Sequence, residues 1–336
     1  MKLLLRGADA DGRASELRAH LTTDWTIAAW QPAQGKDAYA GHLAEADAVV
    51  AMSWPSQGPT APRLKLLQLQ LPGAGYDGVD FAGVPSQAWV CNVFEHEIGI
   101  AEYLVAAMLE WQIGLRRMDA QIRQGSWLGT FNHPDGVVLH GELHGKTIGI
   151  IGFGHIGQAL AVRAKPFGVR IVACTRSPEK AQADAQADAV WPMDELPRLL
   201  AEADFVIVAC PLTAATEGLI GAETLARMKS TAVIANVARG PIIDETALFE
   251  ALAARRIGGA IIDVWYDYPR SGETTRLPSA LPFHELDNII MSPHASGLSE
   301  GLLKRRWQRI AGNLDAVARG EEPANVLRAP GGQPPG

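Results

Sequence analysis

Residues 147–151 (Thr147-Ile148-Gly149-Ile150-Ile151) form a short apolar run that leads directly into Gly152-Phe153-Gly154-His155-Ile156-Gly157. A helix-compatible stretch over 158–167 follows, and then a second apolar run over 169–174. Strand, glycine-rich turn, helix and strand in that order is the context in which G-x-G-x-x-G marks a dinucleotide-binding βαβ unit. The first glycine permits the tight turn. The second lets backbone amides approach a pyrophosphate at the positive end of the helix, and the third lets helix and strand pack closely. His155 and Ile156 lie inside the turn, where the backbone amide matters more than the side chain.

The second strand of such a unit ordinarily ends in an acidic residue about 20 residues on, which holds a free ribose 2′-hydroxyl. Here it ends in Thr175-Arg176-Ser177. A guanidinium and two hydroxyls suit a 2′-phosphate, so the segment predicts NADP (NADPH) as the preferred cofactor, with NAD as the lesser one.

At 336 residues the chain exceeds one ordinary core, and domains of about 150 residues predict two. A net charge of −7 speaks against nucleic acid as a partner. Lys304, Arg305 and Arg306 read as the wet face of a helix. Cys91, Cys174 and Cys210 are scattered, with no C-x-x-C spacing, and read as small buried hydrophobes in a reducing compartment, not as disulfides or metal ligands. The N-terminal segment turns polar after three leucines and reads as a first strand, not a signal peptide. No apolar run approaches the 18 or so residues that span a bilayer. A cytoplasmic protein with no membrane, nucleic-acid or metal partner is expected.

Short apolar runs at 2–5, 48–52, 64–69 and 88–93 alternate with polar helical stretches, the pattern of an α/β unit with a parallel sheet. Apolar residues at helical spacing, from Ile100 through Leu104, Met108 and Trp111 to Leu115, predict one long helix over 98–124. After a loop over 125–145 the glycine turn opens a second α/β unit. Its further strands are expected at 205–209, 232–236, 260–264 and 289–292, with a capped helix over 246–255. A last helix over 300–319 precedes a Pro/Gly-rich end, 329–336, expected to be disordered. The nucleotide unit thus sits mid-chain over 97–296. The simplest arrangement is a discontinuous substrate domain made of 1–96 and 297–336.

The chain resembles the D-isomer-specific 2-hydroxyacid dehydrogenases over nearly its whole length. The resemblance rests on Gly73-Ala74-Gly75-Tyr76-Asp77, Ala101-Glu102-Tyr103, Glu142-Leu143-His144-Gly145-Lys146-Thr147 and Cys210-Pro211-Leu212-Thr213. It continues through Asn236-Val237-Ala238-Arg239-Gly240, Asp263-Val264-Trp265 and Ser292-Pro293-His294-Ala295-Ser296-Gly297. It implies two Rossmann- or flavodoxin-like doubly wound parallel-sheet domains with a cleft between them, and a homodimer joined through the nucleotide domains. The activity implied is NAD(P)-dependent interconversion of a 2-keto acid and a D-2-hydroxy acid, nearest to the glyoxylate/hydroxypyruvate reductase branch.

Reducing a 2-keto acid requires hydride, a cation on the carboxylate and carbonyl, and a proton donor at the carbonyl oxygen. Arg239 fits the cation role, since its planar fork matches carboxylate oxygens and it lies just past a strand end. His294 fits the acid/base role, because imidazole alone titrates near neutrality without help. His96, His133, His140 and His144 lack such context and read as surface or loop residues. The resemblance assigns Asp263 to the carboxamide hydrogen bond; a buried capping carboxylate is the lesser alternative. Pro211, Thr213 and Ala238 resemble the segments beneath the adenosine and nicotinamide riboses. Backbone amides at Ala74 and Gly75, a glycine-rich nest, are expected to hold the substrate carboxylate. Trp54, Phe94, Tyr266 and Tyr268 hint at an aromatic-lined pocket.

One family element is replaced. The glutamate that pairs with the catalytic histidine would stand directly before Pro269, where this chain has Tyr268. A phenol supplies no negative charge at neutral pH; Asp267, one residue earlier, substitutes only if the loop is shifted. Two alternatives follow from that departure: a formate-type, hydride-only dehydrogenase, and a non-catalytic dinucleotide-sensing interaction protein. The formate branch also lacks this glutamate, but its Asn-containing loop is not matched by residues 92–97.

Overall fold

The computed structural model describes residues 1–7, 9–55, 60–69, 74–76, 78–127, 129, 131, 136–181, 186–270 and 272–334. Gly73, Asp77 and His133 lie outside the described residues. The chain forms two compact units, one of Met1–His96 with Leu298–Gly336 and one of Glu97–Gly297.

The first unit begins with β1 (Lys2–Arg6), α1 (Ala10–Arg18), β2 (Thr26–Trp30), α2 (Gly35–Glu45), β3 (Ala48–Ala51), β4 (Leu66–Leu69) and β5 (Trp89–Cys91). The strands β3 and β4 are buried along their whole length, as expected for the middle of a sheet covered on both faces.

The second unit opens with α3 (Glu97–Ile113) and α4 (Leu115–Arg123), where the apolar spacing predicted a single helix. The axis bends by 54° at Gly114, whose φ of 71° is left-handed. The apolar period runs on through the break, but glycine enters that conformation without steric cost and ends the first helix there. Beyond it come β6 (Thr147–Ile151), α5 (His155–Ala164), β7 (Arg170–Cys174), α6 (Pro178–Ala181), β8 (Ala189–Trp191), α7 (Leu196–Glu202) and β9 (Phe205–Val208). The unit is completed by α8 (Ala222–Leu225), β10 (Val233–Asn236), α9 (Glu245–Ala253), β11 (Gly259–Ile262) and β12 (Ile289–Met291). Helix α9 is capped as expected, with the Asp244 carboxylate accepting the Ala247 amide at 2.7 Å.

The chain then returns to the first unit with α10 (Glu300–Arg319) and β13 (Val326–Arg328). Gly320, at φ 76°, ends α10. The Lys304–Arg306 run is not uniformly wet. Arg306 is buried and donates to the Phe94 carbonyl at 3.0 Å and pairs with Nδ1 of His96 at 3.2 Å, because a guanidinium enters a core where carbonyl and ring acceptors satisfy it. His96 is accordingly a buried loop residue, not a surface one. The three thiols are buried and unpaired, and burial pushes Cys91 and Cys174 up to about 12. At the start of the Pro/Gly-rich end, the Gly331 amide bonds the Ser86 carbonyl at 2.8 Å, so these residues have a defined course.

In the first unit the sheet order is β13-β5-β4-β3-β1-β2, with only β13 antiparallel. In the second it is β12-β11-β10-β9-β6-β7-β8, all parallel. Counting outward from β6, the chain first builds β7 and β8 on one side and then β9 to β12 on the other. The order therefore reverses between β6 and β9. In open α/β sheets ligands bind outside the carboxyl ends of the strands at such a reversal. Among the described residues no single helix is long and apolar enough to cross a membrane.

Candidate active site

The glycine turn leaves β6 at the reversal point. Gly152 has φ 92°, and a Cβ there would lie 2.6 Å from the backbone nitrogen of Cys210, so the turn passes too close to the end of β9 for any side chain. A Cβ on Gly157 would stand 2.7 Å from the Gly152 carbonyl and 3.1 Å from Ile150; α5 packs against its own strand only because that atom is missing. Gly154 differs. It is the N-cap of α5, without a side-chain cap, and a Cβ there would meet nothing within 4 Å. Exposed His155 and half-buried Ile156 open the helix behind it. A helix start with no side-chain cap and with open space at its N-cap glycine fits an anionic pyrophosphate. The residues present therefore suit a dinucleotide.

At the end of β7 the Thr175 amide bonds the Trp191 carbonyl at 2.9 Å. Thr175 and Ser177 are half-buried and Arg176 is exposed. Among the described residues no carboxylate pairs with Arg176. After β9, the Thr216 hydroxyl donates to the Pro211 carbonyl at 2.7 Å and accepts the Thr213 amide at 2.8 Å, which fixes that loop.

The ends of β10, β11 and β12 lead into the turns that hold Arg239, Asp263 and His294. Asn236, buried at the end of β10, clamps the turn beyond it: its amide donates to the Arg239 carbonyl at 2.9 Å and its oxygen accepts the Ala238 amide at 3.1 Å. Arg239 is half-buried, with Nη1 donating to the Ala238 carbonyl at 2.8 Å. The next residue, Gly240, lies against the Trp265 carbonyl with no room for a Cβ, which brings the Arg239 turn onto the turn that follows β11.

Asp263 holds the loop after β12. One carboxylate oxygen accepts the Ser292 hydroxyl at 2.6 Å and the Ala295 amide at 2.9 Å; the other accepts the Ser296 hydroxyl at 2.5 Å and amide at 3.1 Å. The residue is 1% exposed. Behind it, the Tyr103 hydroxyl on α3 lies 2.8 Å from the Ser292 hydroxyl, and the Trp265 indole donates to the Ser292 carbonyl at 2.8 Å. His294 is thereby held at φ 57°, a left-handed conformation that costs a non-glycine residue about 1–2 kcal/mol. Sequence reading missed Ser292 and Ser296 as partners of Asp263, and Tyr103 as the partner of Ser292, since only a hydroxyl type in a short run marked them.

Tyr268 stands at His294. Its oxygen is 3.0 Å from Nδ1 of the imidazole and accepts the Trp265 amide at 3.0 Å. Asp267 points elsewhere, its carboxylate paired with Arg276 at 2.6 Å. Burial lowers the His294 pKa; the nearby Asp263 charge opposes that and the Arg239 charge adds to it. Burial raises the Tyr268 pKa, against the Trp265 amide and the Arg239 charge. Arg239, Asp263, Tyr268 and His294 thus form one electrostatic cluster. Of the other aromatics, Trp54 is buried and donates to the Gly83 carbonyl at 2.8 Å, and Tyr266 stacks on Phe283. Phe94 stacks on His96. Ala74 and Gly75 are half-buried in the first unit, where the Ala74 carbonyl accepts from Asn92 at 2.8 Å.

Residues 105–296 match the family model described as D-isomer specific 2-hydroxyacid dehydrogenase, NAD binding domain. The chain belongs to the D-isomer-specific 2-hydroxyacid dehydrogenases. It is 35% identical over 272 residues to a glyoxylate reductase of Pyrococcus furiosus, covering 80% of this chain and 76% of that protein. A D-3-phosphoglycerate dehydrogenase of Methanocaldococcus jannaschii is 34% identical over 269 residues, 79% of this chain and 48% of that one. Among solved structures, a D-isomer specific 2-hydroxyacid dehydrogenase family protein from Aeromonas salmonicida subsp. salmonicida superposes with a TM-score of 0.79 at 25% identity, over 97% of this chain and 98% of that one. This 2-hydroxyacid dehydrogenase is therefore an NAD(P)-dependent oxidoreductase of keto and hydroxy acids with a two-domain α/β fold.

Proposed function

We propose that the enzyme reduces a small 2-keto acid to the D-2-hydroxy acid with a preference for NADPH. The observation that carries the reading is the cluster of Arg239, Asp263 and His294 at strand ends of the sheet that also carries the glycine turn. When bound, the nicotinamide supplies the hydride. Arg239 orients the substrate carboxylate and carbonyl through its paired N–H groups, and the imidazole of His294 donates the proton at the carbonyl oxygen. Backbone amides at Ala74 and Gly75 are assigned to the substrate carboxylate. Gly152, Gly154, His155, Ile156 and Gly157 serve the pyrophosphate. Pro211, Thr213 and Ala238 serve the ribose and nicotinamide side, together with Asp263, which acts there through the loop it holds. Glyoxylate is the first substrate to test, because the similar P. furiosus protein is named for it.

The cofactor preference rests on Thr175, Arg176 and Ser177. Measuring kcat/KM for glyoxylate and hydroxypyruvate with both reduced cofactors tests it, and a preference for NADH sinks it. Arg176→Ala is expected to weaken NADPH by about 1–3 kcal/mol, the scale of hydrogen bonds to a charged group, with NADH almost unchanged. His294→Ala is expected to abolish turnover of every 2-keto acid.

We further infer a homodimer. Helix α4 buries none of its residues, and Leu115, Ile122, Trp127, Phe131 and Leu139 are exposed on it and the segment beyond. A second copy is the partner that covers such a face in a closed pair. Sedimentation should give twice the chain mass, and Ile122→Asp should shift it towards the monomer. Three free buried thiols fit a reducing, cytoplasmic compartment.

A further inference from the structure

The hydrogen bonding at Tyr268 determines where its proton sits. The Trp265 amide donates to the phenol oxygen at 3.0 Å, and Nδ1 of His294 lies 3.0 Å from the same oxygen. A phenol carries one proton, and in its neutral form imidazole has one donor and one acceptor nitrogen. With the Trp265 amide already on the oxygen, the hydroxyl proton is directed at the ring nitrogen. Nδ1 then accepts, and the imidazole proton is on Nε2, the nitrogen turned away from Tyr268.

We propose that Tyr268 is a relay residue: its hydroxyl donates to Nδ1, holds the neutral ring as the Nε2–H tautomer, and passes its proton through the ring when the substrate oxygen takes the one on Nε2. This rests on the reading of His294 as the proton donor at that oxygen. As the carbonyl carbon accepts hydride, the C–O π pair moves to oxygen. The Nε2–H bond breaks and the O–H bond of the alcohol forms; Nδ1 takes the phenol proton, and the negative charge ends on the Tyr268 oxygen. Both electrons of the reduction travel with the hydride, so the relay moves protons only. After the product leaves, a solvent proton enters at Nε2, Nδ1 returns its proton to the phenolate, and the site is reset with one proton consumed.

The direction is favourable because an alcohol is a far weaker acid than a phenol, whose ordinary pKa is about 10. The transient phenolate is held by the Trp265 amide and faces the Arg239 charge, with Asp263 opposing. The same two charges act on the ring. Asp267 is committed to Arg276 and supplies no carboxylate to it. A family glutamate at position 268 would favour imidazolium as the donor. The phenol instead lets a ring whose pKa is lowered work uncharged.

The test is a pair of measurements. First, long-range proton–nitrogen NMR of histidine-labelled enzyme, with His294 assigned by difference against His294→Gln, reads the tautomer above neutral pH. The Nε2–H form is expected in the unmodified protein; the Nδ1–H form, with Tyr268 accepting from the ring, overturns the relay. Second, kcat/KM for 2-keto acid reduction is followed against pH. The unmodified enzyme should hold its activity well above the ordinary imidazole value of about 6.5. Tyr268→Phe should lose about 10²-fold on that plateau and decline as pH rises through the imidazole range, since only imidazolium can then donate. Tyr268→Glu should restore part of the rate with a limb displaced to higher pH than in Tyr268→Phe. A Tyr268→Phe profile of unchanged shape overturns the relay alone, whereas sustained turnover by His294→Gln overturns the assignment of His294 beneath it.

Discussion

Two turns leave the carboxyl edge of the same sheet, one after β6 and one after β12, and each contains a left-handed residue. In the first it is Gly152 at φ 92°, in the second His294 at φ 57°. The glycine turn needs no support, since glycine adopts that conformation freely and its missing side chain is what lets strand, helix and β9 come together. The histidine turn is held by a buried carboxylate, two serine hydroxyls and two amides. The difference matches the roles proposed for the two turns. A pyrophosphate needs bare backbone amides, whereas proton transfer needs one side chain in one orientation. The second demand is met by a network drawn from three distant segments.

Substitutions that remove the support from one turn or crowd the other test this contrast. Asp263→Ala should have the largest effect, leaving the Ser292, Ala295 and Ser296 donors unsatisfied. A loss of about 3 kcal/mol or more is expected in chemical denaturation, with kcat falling by about 10²-fold. An Asp263→Ala enzyme of normal kcat would show that the loop holds His294 unaided. Gly157→Val comes next: crowding the Gly152 carbonyl should cost about 1–3 kcal/mol and weaken cofactor binding in titration, without changing the shape of the pH profile. Tyr103→Phe removes one remote hydrogen bond from Ser292 and should cost about 1 kcal/mol, with a fall in kcat and an unchanged cofactor Kd. Gly154→Ala should alter stability least, within about 1 kcal/mol, because its Cβ enters open space. Its effect should appear in cofactor Kd alone, and an equal loss in Tm would break the distinction between the two turns.

The same contrast explains how much was legible in the sequence. The glycine turn is contiguous, its residues are chosen by backbone geometry, and a short apolar run on either side shows its context. The central strands read equally well, because burial on both faces makes them continuous apolar runs. Three of the four edge strands do not: β2, β8 and β13 are only partly buried, so Thr26–Trp30 and Ala189–Trp191 carry no comparable signal, whereas the fourth, β12, still shows as the apolar run Ile289-Ile290-Met291. Arg239 and His294 stand in short recognisable segments, but their support does not. Tyr103 is remote in sequence from Ser292, and the Asp267–Arg276 pair, which removes Asp267 from the site, depends on the course of an intervening loop. Arg306 likewise looked like part of a solvated basic run, since nothing local announces the Phe94 carbonyl that it reaches.

The return of the chain into its first sheet sets an order of events during synthesis. Trp307, Ile310, Ala311, Leu314 and Val317 of α10 fill one face of that sheet's core, and β13 pairs with β5 at its edge. The second unit is contiguous and has all its strands once β12 has been made. The first unit, although its strands β1 to β5 precede the second unit, must wait for α10 and β13, which follow it, before that face is covered. Domains ordinarily complete themselves from the N-terminus as they leave the ribosome. Here the unit that is started before the other is completed after it.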